Sequence, residues 1–344
     1  METSAIHSSL ELFSKPYKDV GIESVRTLQI LPTSGVTNDS ALEIYIPGES
    51  SRYIDLNNTR LYLRVKVLKA DGTAPTEKIK LISLWPHALF KQVDLYMGDK
   101  SVSSSTNTYP YRAFLETCLS YNSHVKQELL KGTAHWGGTD VEVGKNELEA
   151  IVPLHLDMAH QGKLIPNNVP MRLRFLRNSD DFCIQKTATD TEKYKLQIDK
   201  MYLLLRTVAP TADVLLKHAG QLSRENVLYS LDRVWMKTFN LTAGSNDSVL
   251  SNIFLGPLPN RIIVGLVDSA AYTGNDLSDP FKFEHFDLSE ISLVSNGQQI
   301  PTIPYECDFS AGICRREYIG LLYTLLSPVH TMFFLRFLLA KGTA

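Results

Sequence analysis

Between Thr59 and Lys69 the chain reads TRLYLRVKVLK, and this stretch decides the fold class. Leu61, Leu63, Val65 and Val67 alternate with Tyr62, Arg64, Lys66 and Leu68. A period of two puts one row on a core and the other on the opposite face, which is the pattern of a strand. The Asp71-Gly72 pair then turns the chain. The alternation returns in KQVDLYMGDKSV (residues 91–102) and in VPMRLRFLR (residues 169–177), where Val169, Met171, Leu173 and Phe175 alternate with Arg172 and Arg174. Further strands are expected over 194–208, 227–241, 261–272 and 290–303, the last with an Asn296-Gly297 hairpin turn. Helical periodicity is confined to two places. YPYRAFLETCLSYN (residues 109–122) puts Tyr111, Phe114, Leu115, Cys118 and Leu119 on one face, which makes Cys118 a small core residue. ADVLLKHAGQL (residues 212–222), after Pro210, reads as a connector between two halves.

The halves repeat one pattern. Val93-x-Leu95 precedes Gly98 and Val102, and Ile291-x-Leu293 precedes Gly297 and Ile300, with Val93 to Ile291 and Val102 to Ile300 offset by the same 198 residues. Two β-rich units of similar design predict an all-β protein of sandwiches or jelly rolls set side by side. After Val102 the first half runs 106 residues to Val208, whereas 44 follow Ile300, so the second unit is expected to lack its closing strands. The organisation expected is an N-terminal arm (1–40), a first jelly roll (41–208), a connector (209–226), a partial second jelly roll (227–318) and an atypical apolar tail (319–344).

Composition excludes several classes of function. The chain of 344 residues has 35 Lys and Arg against 37 Asp and Glu, a net charge of −2, which argues against tight, charge-driven nucleic-acid binding. No two of the four cysteines, Cys118, Cys183, Cys307 and Cys314, form a CxxC pair, which removes zinc-ribbon and redox-motif readings. The amino terminus has no basic start followed by an apolar run, so an intracellular, unsecreted protein is expected. Tyr318 to Leu335 lacks a charge, but Ser327, Pro328, His330 and Thr331 interrupt it and Arg336 follows, which reads against a membrane anchor.

Motifs of phosphate cradles, nucleophile elbows and zinc proteases are absent: there is no GxxxxGK[ST], GxSxG, HExxH or GxGxxG. One constellation points to chemistry. His155-x-Asp157 with a distant His218 has the composition of the facial triad that holds non-haem Fe(II) on jelly-roll folds. The simpler reading puts His155 and Asp157 on the polar face of a strand, alternating with Leu154 and Leu156, and His160 in the following turn. That reading assigns no catalytic, cofactor-binding or metal residue and no cofactor. Arg172, Arg174 and Arg177 are read in the same way as a solvated or subunit-facing strand surface, against a nucleic-acid face.

Three long motifs stand in order: IPGESSRYIDLNNTRLYLRVKVLKADGT, LFKQVDLYMGDKSVSSSTNTYPYRAFLETCLSYN and LHLDMAHQGKLIPNNVPMRLRFLRNSDDFCI. Together with FLGPLPNRIIVGLVDSAAYTGNDLSDPFKFEHFDLSEISLVSNGQQIPTIPYECDF they resemble the major capsid protein of Polinton (Maverick) elements and adintoviruses over residues 42–318. The resemblance implies a tandem, double antiparallel jelly roll whose homotrimers make pseudo-hexameric capsomers of an icosahedral shell. It also implies penton or minor capsid proteins as partners, packaged DNA as a non-specific neighbour, and a virion location after assembly inside the cell. It implies no metal role for the stretch around His155, and a helix inserted at YPYRAFLETCLSYN. The tail departs from the family. Two alternatives stay open: a jelly-roll iron oxygenase using the His-x-Asp pair, and a domesticated host binding protein.

Overall fold

The computed structural model describes residues 21–339 except 34, 36–40, 104–105, 145, 243, 245–246, 254–258, 296 and 327–330, with backbone alone for 321–339. Much of the expected arm, Asn296 of the hairpin turn, and Pro328 and His330 of the apolar run therefore lie outside the described residues. The first half carries β1 (Ile22–Ile30), β2 (Leu42–Ile46), β3 (Tyr53–Lys69), β4 (Ile79–Leu81), β5 (Phe90–Met97), β6 (Lys100–Ser101), β7 (Thr139–Val141), β8 (Glu147–Pro153), β9 (Met171–Arg177), β10 (Ile184–Gln185) and β11 (Tyr194–Pro210). The second carries β12 (Arg233–Leu241), β13 (Arg261–Asp268), β14 (Glu290–Ser295), β15 (Gln298–Glu306) and β16 (Thr331–Leu339).

Eight first-half strands form two four-stranded sheets, ordered β1-β11-β3-β8 and β2-β9-β5-β6, every pairing antiparallel. The short strands β10, β4 and β7 make a separate sheet. Counted along the chain without those three, the order is first-eighth-third-sixth and second-seventh-fourth-fifth, the Greek-key winding of a jelly roll. The pleat explains the packing. Thr59, Leu61, Leu63, Val65 and Val67 of β3 and Met171, Leu173 and Phe175 of β9 are all buried. Each such Leu or Val contributes about 1.5–3 kcal/mol when removed from water. On the other face of β3, Tyr62 stacks on Tyr202 at 4.3 Å, and Arg64 pairs with Asp199 across the β3–β11 ladder. β1 lies inside the segment read as an arm. Its residues are mostly exposed, so no core-facing row announces it.

Among the described residues the second half holds fewer strands and a thinner core. Of the buried hydrophobic cluster, only Val234, Met236 and Phe281 come from beyond residue 211 among the described residues. β14 and β15 form the expected hairpin, with Val294, Ile300 and Ile303 exposed. β16 departs from the expected antiparallel pattern: it sits between β12 and β13 and runs parallel to both. In the first half β11 takes the matching place between β1 and β3, antiparallel to each. β16 follows the Arg315–Leu326 helix, and a strand reached through such a crossover is free to run parallel to its neighbours. The described residues of the apolar run are thus part helix and part strand. No helix among the described residues is long and apolar enough to cross a membrane.

Candidate functional site

The Tyr109–Ser120 helix, placed between β6 and β7, carries a polar stripe that the hydrophobic spacing concealed. Its buried residues are Tyr109, Pro110, Tyr111, Arg112, Ala113, Glu116 and Thr117, whereas Phe114, Leu115 and Leu119 are partly buried at its flank. Cys118 is likewise half-buried, correcting its reading as a core residue. The inaccessible thiol is Cys183, whose pKa burial pushes up to about 12.

Arg112 and Glu116 are one helical turn apart, so their side chains share a face. Arg112 Nε donates to Glu116 Oε1 at 2.8 Å and its Nη2 donates to Asp157 Oδ1 at 2.6 Å. The other oxygen of Glu116 meets His155 Nδ1 at 2.6 Å and His160 Nε2 at 3.0 Å. Asp157 opens a short 3-10 turn, Asp157–Ala159, just after β8, which places His155 and His160 on the same carboxylate. Asp157 Oδ1 also accepts the Val234 N–H of β12 at 3.4 Å, tying the cluster to the second half.

Burial sets the electrostatics. It disfavours the charge on Glu116, but the Arg112 guanidinium and the hydrogen bonds from both histidines outweigh it and hold the carboxyl well below its usual range. Burial also lowers the His155 pKa, against the pull of Glu116. Its neighbour His87, edge-on at 4.8 Å between ring centroids, is held well below the usual value by burial. Tyr109 completes the group, with its hydroxyl 3.2 Å from His87 Nδ1. A cavity of about 20 Å³, lined in part by Gln92, Thr108, His155 and Met236, adjoins it. Such a volume accepts a single water but no substrate.

The residues considered for iron do not converge. His155 engages Glu116 and Asp157 engages Arg112, while the exposed His218 lies against Tyr53, 2.8 Å from its hydroxyl. Nor are His155 and Asp157 on an exposed strand face: they are 3% and 6% accessible and lie beyond the end of β8. Their charge partners on the helix allow that burial. His160 lies in the expected turn but was given no role, and Glu116 was missed, although the Arg112-x-x-x-Glu116 spacing on an expected helix was a usable signal. The β9 arginines lie across from the buried row of their strand, with Arg172 over the Tyr96 ring and both Arg172 and Arg174 near Glu43, at 3.6 and 3.8 Å. Arg177 binds Asp180 at 2.9 Å.

No protein-family model matches the chain. It is 22% identical to an uncharacterized Caenorhabditis elegans protein over 302 residues, which is 82% of this chain and 72% of that one. Among solved structures it is similar to PBCV-1 VP54 fitted into a reconstruction of the virophage Sputnik, with 12% identity, 60% of this chain and 47% of that chain covered, and a TM-score of 0.42. The Faustovirus major capsid protein gives 10% identity, 61% and 58% coverage and a TM-score of 0.41. The mavirus major capsid protein gives 11%, 61% and 52%, and 0.33. The chain spans about half the length of the capsid proteins it matches.

Proposed function

We propose that the chain is a structural, non-enzymatic shell protein of the double jelly-roll kind, encoded by a Polinton-like element or a genomic copy of one. The observation that carries this reading is the jelly-roll strand order of β1 to β11. It agrees with the fold that the ordered motifs of residues 42–318 imply. In this reading β12 to β15 are strands of a second jelly roll, joined to the first through the Ala212–Leu222 helix, and β16 fills the space between β12 and β13. Self-association into trimers and capsomers follows, with penton or minor capsid proteins as neighbours. DNA is a packaged neighbour without sequence readout, since the net charge is −2 and the β9 arginines face acidic or aromatic groups. The location is the virion, after assembly inside the cell. Mass measurement and negative-stain microscopy of the purified chain test the proposal. Particles of three times the chain mass with a capsomer outline are expected, and a strict monomer at high concentration overturns the shell role.

A further inference from the structure

We propose that Glu116, His155 and His160 form a binding site for a divalent transition-metal ion of the zinc class, which fixes the Tyr109–Ser120 helix to the turn after β8. One ligand atom from each residue lies within 4.8 Å of the other two. Donors arranged tetrahedrally around zinc, at about 2.0–2.2 Å from the ion, stand roughly 3.3 Å apart. The observed separations of 2.6 Å and 3.0 Å from Glu116 Oε2 to the two ring nitrogens need to open by less than about 1 Å to reach that spacing. Two imidazoles with one carboxylate suit zinc, cobalt or nickel, whereas calcium and magnesium require mainly oxygen donors.

Three further features agree with an ion here. Arg112 is shared between Glu116 and Asp157, and the half-exposed Arg233 approaches Asp157 at 4.0 Å, so Glu116 has only a share of one guanidinium and keeps negative charge for a cation. His160 is exposed while His155 and Glu116 are buried, which opens the cluster to solvent on one side for ion entry and for a water ligand. In a metal-bound state His155 carries its proton on Nε2. That atom is buried and has no hydrogen-bond partner among the described residues, so the position is free to take the proton. The ion has a fastening role, since the cavity is too small for a substrate. Through Asp157 and the Val234 N–H, the fastened turn also holds the start of β12. None of this depends on the shell reading.

The test is a cobalt titration of the full chain after dialysis against chelator, read by the visible absorption of protein-bound Co²⁺ and by metal content per chain, with competition by zinc. One ion per chain is expected, and zinc should raise the melting temperature. His160→Ala is the informative variant because its ring is exposed and the change removes only the 3.0 Å hydrogen bond to Glu116, so the metal-free variant should keep the fold, with the circular dichroism of the unmodified chain. It should weaken cobalt binding by more than the ~10–100-fold that loss of an outer-shell partner causes. His285→Gln, at an exposed histidine beside Asp287, should leave binding unchanged. The site is refuted by an absence of saturable binding in the unmodified chain, by binding that survives His160→Ala, or by equal loss in both variants.

Discussion

Replacing Arg112 with Met asks whether the buried charge network holds the helix to the first jelly roll. The side chains of Arg112, Glu116 and Asp157 are 11%, 9% and 5% accessible, so the three charges share a poorly hydrated space. Met fills much of the aliphatic volume but removes the bonds at 2.8 and 2.6 Å. Glu116 then retains its two histidines. Asp157 retains the 3.4 Å contact with the Val234 N–H and a guanidinium, Arg233, at 4.0 Å. Leaving a buried charge without its partner costs about 3–5 kcal/mol, far more than the net worth of the intact pair. At roughly 2–4 °C per kcal/mol for a unit of this size, the melting temperature should fall by about 6–20 °C. The triple change Arg112→Met, Glu116→Gln and Asp157→Asn removes the unpaired charges as well and should recover at least half of the loss. Urea unfolding followed by circular dichroism measures both variants. A cost below about 1 kcal/mol for the single change, or a triple variant no better than the single one, would show that desolvated charge is not what the network balances.

Phe175→Ala removes a fully buried ring packed 5.1 Å from Phe90 and should cost about 3–5 kcal/mol, whereas Val294→Ala, at a side chain 64% exposed, should stay within about 0.5 kcal/mol; urea midpoints check the contrast. Stability should fall as the pH drops from about 7 to 5.5: burial holds the His135 pKa below its ordinary value, so the unfolded chain takes up the proton first. His135→Gln should shrink that drop without abolishing it, because the buried His87 titrates in the same direction, and an unchanged pH slope would contradict the assignment. Deleting residues 331–344 removes β16 from between β12 and β13 and leaves both with an open edge, so the second half should become protease-sensitive and aggregation-prone while residues 22–210 stay resistant. Mass spectrometry of the limit digest checks it, and an unchanged digest would mean that β16 contributes no stability.

The period-two rows of β3, β5 and β9 were legible because an antiparallel sandwich strand has one wet and one dry face, and that contrast is written in every second residue. The Tyr109–Ser120 and Ala212–Leu222 helices were legible from apolar residues at a period of 3.6, although the first also buries Arg112 and Glu116 and the second buries no residue. Sequence also supplied the repeat relating Val93 to Ile291, whose strands β5 and β14 both lead into a turn and a following strand. Strand order was beyond it, because β11 finds its place between β1 and β3 through contacts 125 or more residues apart, and nothing local encodes which edge a strand joins. β1 escaped notice because an exposed edge strand buries no row. The direction of β16 was set by the space between β12 and β13 and by the helix that delivers it. The polar cluster shows the same division. Alternation assigned His155 and Asp157 to a wet face, since water is the usual partner of such side chains, but Arg112 and Glu116, some forty residues earlier, supply the opposite charge and the hydrogen bonds. Burial of a charge is decided by what stands opposite it, and only the folded chain determines that.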